Sequence, residues 1–353
     1  MKARESDGKK RYKCAGCRLH KCVVHLCLCL AAVCMCACHQ KELVYPASTM
    51  VKVTIAFDWS EAPMADPEGM TVVFFPVGDE GRIWRYELKG RDGGTIEIPL
   101  GNYRMLTYNN DTKYIQYDGI SGFDSYKAYT SAVSPAWPQS VTGDFPEIES
   151  YKSFRSPDML YCGTAYDVSV GLCSVSYRSH VSGTDPESIE IKGCGKHIIK
   201  CYPSPRTSTY TCVFRNVVNI ESMRRGYCLL TGLSPSELIA ADILSESEGA
   251  YPFSVHSSDT EISGSTIAFG RSSSQTVHQY LYLVVVLADG SVVSYCHDVS
   301  DQIMNSPDKR NVMIIIEGLE LPDVNPVGPD DPATDFEVGV DDWEMIIINN
   351  IIV

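Results

Sequence analysis

Cysteine and histidine residues near the N-terminus are the strongest candidates in this chain for metal binding or covalent modification. Eight of the 15 cysteines lie within the first 38 residues. Cys14, Cys17 and Cys22, with His20 and His25 close by, have the ligand types and the short spacing that zinc sites use. A closed zinc site also needs a folded module that holds four ligands, and no strand or helix pattern frames these residues. We therefore expect no metal site and favour lipid attachment as the chemistry of this segment.

A lipidated cysteine is predicted at Cys38. A basic segment precedes the apolar run from Val23 to Cys38, and the small residue Ala37 stands directly before this cysteine. A positive flank, a short apolar core and a small residue before the cleavage point are the parts of an export signal. The run is shorter than the roughly twenty residues of a transmembrane helix. Cys34 and Cys36 follow bulky residues, so we expect a lipoprotein signal peptide over 1–37 and the lipid on Cys38.

The charge of the chain limits its partners. The sequence carries 30 Lys or Arg and 44 Asp or Glu, a formal charge of −14. The first 37 residues hold eight of the basic and two of the acidic residues, so the mature chain keeps 22 against 42, a charge of −20. Such a chain is not suited to nucleic acid or to an anionic membrane surface. We expect it to reach the membrane through its lipid alone.

Catalytic motifs are missing from the sequence. It contains no P-loop, no GxGxxG, no HExxH and no GxSxG. The histidines after the signal are scattered, without ligand spacing, so we expect no enzyme, no metal and no cofactor. The cysteines after Cys38 are odd in number, which leaves at least one unpaired, and we favour their being small buried residues in strands. They are Cys162, Cys173, Cys194, Cys201, Cys212, Cys228 and Cys296.

Alternating apolar residues predict an all-β fold. The segment Val51–Trp59 alternates with period two over nine residues, which is typical of a half-buried strand. Tyr280–Leu287 and Ser291–His297 flank Ala-Asp-Gly and predict a hairpin. The pattern Ser-Pro-Ser-Glu from Ser234 resembles a capping box and predicts a short helix through Asp242.

Composition divides the chain into five parts. We expect a signal peptide over 1–37, a tether over 38–50, and β-sandwiches over 51–183 and 184–321. The last part, 322–353, combines an acidic, Pro-rich linker with a terminal apolar strand. This strand pairs either with its own second domain or with a partner chain, because an unpaired apolar strand promotes aggregation. Its candidate contact residues are Phe336, Val338, Val340 and Trp343.

Several short motifs in a fixed order resemble a family of Bacteroidales lipoproteins of unknown function. They include Phe57-Asp-Trp59, Asp92-Gly-Gly-Thr95, Pro99-Leu-Gly-Asn-Tyr103, Pro157-Asp-Met-Leu-Tyr161 and the closing Phe336-x-Val-x-Val-x-x-Trp343. That family is similar to the anchor and accessory proteins of Bacteroidales fimbriae. The resemblance implies two tandem transthyretin-like β-sandwiches, lipid attachment through Cys38, and a role in anchoring or capping a fimbria or in adhesion.

Two function hypotheses follow. The first is a non-enzymatic outer-membrane lipoprotein, exposed at the cell surface, that binds fimbrial subunits by strand addition. The second is a glycan-binding surface lipoprotein of a polysaccharide-uptake system, in which some of the 20 tyrosines form a sugar-binding face. An exposed aromatic platform would favour the second hypothesis.

Overall fold

The alternating segments of the N-terminal half form short strands. The structure is a computed structural model that describes residues 49–78, 81–179, 188–192, 197–274 and 277–325. The first fourteen strands are β1 Met50–Phe57, β2 Gly69–Pro76, β3 Trp84–Lys89, β4 Gly93–Pro99, β5 Gly101–Asn109, β6 Ile115–Asp118, β7 Lys127–Thr130, β8 Ala132–Val133, β9 Ser153–Phe154, β10 Tyr161–Val170, β11 Ser174–Ser179, β12 Ser188–Lys192, β13 Ile198–Cys201 and β14 Ser204–Pro205.

The C-terminal half contributes ten more strands, and the described residues include two short α-helices. The strands are β15 Ser208–Arg215, β16 Met223–Ser234, β17 Ser236–Leu238, β18 Ile243–Leu244, β19 Gly249–Ser258, β20 Glu261–Ala268, β21 Gly270–Arg271, β22 Tyr280–Leu287, β23 Val292–Asp298 and β24 Asn311–Glu317. The helices are α1 Gln139–Asp144 and α2 Ser300–Met304, and two 3₁₀ turns cover Pro146–Ser150 and Ile220–Ser222.

The N-terminal sandwich packs a three-stranded sheet against a larger one. The small sheet has the order β13-β1-β4, and the large one has the order β12-β11-β10-β5-β2-β3, with β14 beside β10. Alternate residues of β1, such as Val53 and Ile55, are fully buried against Val72 and Phe74 of β2. The half-buried strand predicted at Val51–Trp59 therefore forms, and its apolar face builds the core.

The C-terminal sandwich is formed by a single curved sheet. Its main order is β23-β22-β16-β19-β20-β15-β24. Residues from strands throughout this sheet, including Leu283, Phe214 and Ile314, enter one core, so the sheet curls until its two halves face each other. Together with the N-terminal sandwich this confirms the expected all-β fold of two sandwiches in tandem.

A third core joins the two sandwiches. The four-stranded sheet β18-β17-β7-β6 combines strands from both halves of the chain. Its side chains and loops, among them Tyr126 and Ile239, pack against Phe75 and Tyr108 on the outer face of the large N-terminal sheet. The two sandwiches therefore share buried apolar surface.

Strand pairing bears on where the first sandwich ends. β12 pairs with β11, β13 pairs with β1, and β14 pairs with β10, so all three belong to the N-terminal sandwich. The sequence predicts that the second sandwich starts at 184. These pairings support a later start, and we propose that the division lies at Arg206, directly after β14.

The helix predicted from Ser234 to Asp242 does not form. Residues Ser236–Leu238 are strand β17 instead. The Ser234 hydroxyl donates to the carbonyl oxygens of Ser236 and Ser245 and caps no helix. The side chain of Glu237 is buried. Tertiary contacts therefore override the local capping pattern.

Candidate functional site

The predicted lipidation and partner-strand residues lie outside the described residues. They are Cys38 and the tail residues Phe336, Val338, Val340 and Trp343. Of the helices in the described part of the chain, none is long and apolar enough to cross a membrane.

Titratable side chains do not gather into a metal site in the described ranges, where no three of His, Cys, Asp or Glu are arranged to hold an ion. The histidines have separate local roles. His197 Nε2 lies 3.0 Å from the Gly171 carbonyl oxygen, and His278 Nδ1 lies 3.2 Å from Asp298. Burial lowers the pKa of His297.

The cysteines divide into free and bonded residues. Cys162, Cys201, Cys212 and Cys228 are free and buried, as the preferred interpretation expected, and Cys296 is free and half-buried. Burial raises the pKa of the Cys162 and Cys201 thiols well above the usual value, so these thiols are poor nucleophiles. Cys173, in contrast, is disulfide-bonded.

An acid-lined cleft of about 250 Å³ opens beside β5. Two of its three carboxylates, Asp111 and Asp158, already have backbone partners. Asp111 accepts the Glu68 N–H at 3.0 Å, and Asp158 accepts the N–H groups of Lys113 and Tyr114 at 2.8 and 2.6 Å. These bonds hold loops in place, so the cleft is explained by structure alone.

Arg206, Glu237 and the half-exposed Asp242 form a charge cluster in which the first two side chains are buried. The Arg206 side chain is 4% exposed and that of Glu237 is 1% exposed. Arg206 Nη1 lies 2.5 Å from Asp242 Oδ1 and 3.5 Å from Glu237 Oε1. Among the described residues, neither Glu237 oxygen receives a hydrogen bond. One guanidinium thus faces two carboxyl groups, and only Asp242 contacts it closely.

The distances from Arg206 to Glu237 and to Asp242 differ, and this difference agrees with the ionisation of the two carboxyl groups. Burial raises the pKa of Glu237 to about 8, and nearby Asp242 acts in the same direction while Arg206 opposes it. Burial also acts on Asp242, but there the Arg206 guanidinium prevails and lowers the pKa. The cluster therefore holds one cation, one carboxylate and one neutral carboxyl group at neutral pH. No sequence motif announces this cluster, since the pattern around Glu237 predicts a helix cap.

Side chains cap the edges of several sheets. On β13 the Lys200 N–H donates to the Tyr177 hydroxyl at 2.9 Å, and the Ser179 hydroxyl donates to the Lys200 carbonyl at 3.1 Å. On β24 the Gln302 amide donates to the Ile315 carbonyl at 3.0 Å and accepts its N–H at 2.8 Å. Such caps occupy peptide groups that would otherwise pair with another chain.

The described chain begins and ends far from the charge cluster. On β1, Met50 pairs with Pro99, whereas the other end, Phe57, pairs with Cys201, five residues before Arg206. Strand β15 starts at Ser208, two residues after Arg206, and leads away from the cluster to Arg215. The chain after β24 returns to the Arg215 end of this strand, where the Gly318 N–H donates to the Arg215 carbonyl. Near that end the Val324 N–H donates to the Ser222 hydroxyl.

The family comparison identifies the chain. The model of a family described as a domain of unknown function, DUF5119, matches residues 37–254. The chain belongs to the DUF5119 family. This confirms the resemblance inferred from the motifs.

One relative of this DUF5119 protein and one similar solved structure are informative. A Bacteroides ovatus protein named "Putative fimbrium anchoring subunit Fim4B" is 33% identical over 95 residues, which are 26% of this chain and 27% of that protein. The match thus spans about a quarter of the curated relative. A crystal structure described as "a putative adhesin from Bacteroides ovatus" is 20% identical, with a TM-score of 0.54, covering 79% of this chain and 94% of that chain. At that identity the likeness shows the fold alone.

Many large tyrosines of this DUF5119 protein are core residues. Tyr108, Tyr126, Tyr210, Tyr251 and Tyr282 are among the largest fully buried side chains. Their rings fill cores or pair with each other, as Tyr108 and Tyr126 do through their hydroxyl groups at 2.8 Å. Buried rings are not available to stack on a sugar.

Proposed function

We propose that this protein is a non-enzymatic surface lipoprotein that attaches a fimbria to the outer membrane. The observation that carries the proposal is where the described residues begin and end. Met50 and Val324 each lie at the end of a sandwich remote from Arg206. A pull applied at Met50 and Val324 therefore passes through both sandwiches and the core that joins them, which suits an adaptor between membrane and fimbria.

The membrane contact in this proposal is the lipid on Cys38. Each buried CH₂ of an acyl chain contributes about 0.8 kcal/mol, and stable anchoring needs more than one chain. A diacylglyceryl cysteine meets that requirement. Eleven residues then separate Cys38 from Met50, and at most about 3.5 Å per residue they reach up to roughly 40 Å.

The fimbrial contact in this proposal is strand addition. The apolar residues Phe336, Val338 and Val340 alternate, so one face of an added strand would be apolar. Residues 321–335 contain four Pro and four Asp, a composition that keeps a linker extended and solvated. The relative named as a fimbrium anchoring subunit supports this assignment of the partner.

The lipid claim is tested by a matched pair of cysteine variants. In cells expressing Cys38→Ala, the protein should leave the membrane fraction and lose palmitate labelling. Cys36→Ala removes a nearby thiol of the same segment and should leave membrane association and palmitate labelling unchanged. Continued labelling of the Cys38→Ala protein would refute the proposal, and loss in both variants would point to failed export.

A further inference from the structure

β23 lies at one edge of the sheet of the C-terminal sandwich, and no other described strand pairs with its outer side. The bonds from Leu287 N–H to the Ser291 carbonyl and from Val299 N–H to the Gln279 carbonyl set the pairing of β23 with β22. Because bonded and non-bonded pairs alternate in an antiparallel ladder, the peptide groups of residues 292, 294 and 296 point away from β22. No hydrogen bond from the described parts of the chain reaches these groups.

The other sheet edges are protected in recognisable ways. β13 and β24 carry the side-chain caps described above, and the Tyr86 hydroxyl of β3 donates to the Glu97 carbonyl of β4. β12 carries an ion pair between Lys192 and Glu190 at 3.3 Å. The outer face of β3 carries the charged residues Arg85, Glu87 and Lys89. Edge charges and very short edge strands both discourage pairing.

β23 lacks these protections. Of its seven residues, Val292–His297 are all half-buried, and the first charged side chain is Asp298 at the end. Its edge positions Val292, Ser294 and Cys296 are uncharged. An uncharged, half-buried edge strand is a ready template for another strand, because pairing would cover both of its faces.

The surroundings of β23 define the chemistry of an added strand. On the inner face, Val293 and Tyr295 border the C-terminal core. On the outer face, Asp144 accepts a bond from Ser294 at 3.3 Å, and Glu147 accepts one from Tyr282 at 3.1 Å. A matching strand therefore has apolar residues on its inner side and basic residues on its outer side.

The tail of this chain does not fit that description. Residues 326–353 contain seven acidic and no basic residues. Placed on β23, acidic side chains of the outer face would lie on the same side as Asp144, which contacts Ser294 of the edge strand, and like charges in such positions are destabilising. Charge complementarity thus favours a strand from another protein over the tail of the same chain or of a second copy.

We propose that the open edge of β23 accepts an extended, alternately apolar and basic segment of a fimbrial subunit as an additional strand. This inference rests on the fimbrial role proposed above and names the receiving surface. It also assigns separate tasks to two parts of the chain, since the β23 edge receives a strand and residues 326–353 are the candidate strand to donate.

Proline substitution at matched edge positions tests this surface. Ser294→Pro removes an outward N–H of β23 and keeps the bonds to β22, since proline is tolerated on the open side of an edge strand. Met313→Pro makes the same change on the outward side of β24. With one ladder bond lost, cells with Ser294→Pro should retain about tenfold fewer fimbriae, and cells with Met313→Pro should retain the normal number. Equal retention by a folded Ser294→Pro protein would overturn the inference.

Photo-crosslinking identifies the occupant without relying on a proline variant. A photoreactive amino acid in place of Ser294 should crosslink to an alternately apolar and basic segment of a fimbrial subunit, and the same amino acid in place of Met313 should not. A crosslink from position 294 to residues 336–343, to a second copy, or to nothing would overturn the inference. If Cys38→Ala cells shed fimbriae while Ser294→Pro cells keep them, this inference fails and the proposed function stands. If both strains keep their fimbriae, the proposed function itself fails.

Discussion

Replacing Glu237 with glutamine should remove a pH-dependent destabilisation that the buried charge cluster imposes. Burial raises the pKa of Glu237 from 4.5 to about 8, so between these values the folded state binds one more proton than the unfolded state. The stability from Glu237 is therefore complete below about pH 4.5 and is lost as the pH rises through about 8. At about 1.4 kcal/mol per pKa unit, the loss is about 3 kcal/mol at pH 7 and about 5 kcal/mol above pH 8.

The assay is urea unfolding of the wild type and Glu237→Gln at several pH values. Glutamine has nearly the shape of a neutral carboxyl group and does not titrate, so Arg206 keeps its close partner Asp242. The free energy of unfolding of the variant, relative to wild type, should increase by about 2.5 kcal/mol between pH 5 and pH 7. Other groups titrate equally in both proteins and cancel in this difference.

Asp242→Asn is the matched control. It removes the carboxylate 2.5 Å from Arg206, and Glu237 must then ionise to balance the guanidinium. The pKa of Glu237 should therefore fall in this variant. The Asp242→Asn protein should be less stable than wild type at pH 7, because the buried Arg206 guanidinium has lost its close partner. A Glu237→Gln protein as unstable as Asp242→Asn, or a difference from wild type that does not change with pH, would refute the reasoning.

Four further predictions concern edges, core, tail and surface. Gln302→Ala uncaps β24 and should cost about 1–2 kcal/mol in urea unfolding, with dimers at high concentration by size-exclusion chromatography; a monomer of unchanged stability would contradict the cap. Ile314→Ala should cost about 2–5 kcal/mol, whereas Met313→Ala on the exposed face of the same strand should cost under about 0.5 kcal/mol. Deleting 333–353 should leave a soluble, folded monomer, and an insoluble product would favour pairing of the tail within its own domain. In affinity gels containing polysaccharide the protein should migrate unretarded, since many large tyrosines are buried; clear retardation would favour glycan binding.

The half-buried strands were predictable because their two faces have different surroundings. Val51–Trp59 alternates since one face meets the core and the other meets water, and the observed strand is Met50–Phe57. The strand predicted at Tyr280–Leu287 has those same bounds, although it is buried along nearly its whole length. Its hairpin partner, predicted at Ser291–His297, is Val292–Asp298.

Strand β16, the longest of the C-terminal sandwich, was not predicted. From Cys228 to Ser234 every residue is buried, so the sequence has no alternation to detect. Gly232 further obscures the pattern, because glycine disfavours strands. At its φ of +75°, an added Cβ would lie 2.7 Å from the His278 carbonyl oxygen, so tertiary packing requires glycine there.

The charge cluster and the open edge are products of the fold. Arg206 and Glu237 are separated along the chain, and no motif connects them. They meet because the fold places β17 next to the segment that follows β14. The open edge of β23 exists only because of its place in the sheet order, which the hairpin pattern alone cannot supply. In contrast, the prediction for Cys38 needs no fold, since export signals are recognised as sequence.

Counting fimbriae on cells and in the medium tests the central claim most directly. Electron microscopy and quantification of fimbrial subunits would compare strains carrying the wild type, Cys38→Ala and Cys36→Ala. If this lipoprotein holds fimbriae at the membrane, Cys38→Ala cells should shed fimbriae into the medium with the protein still attached, and Cys36→Ala cells should keep theirs. Fimbriae that stay on Cys38→Ala cells in wild-type numbers would contradict the account.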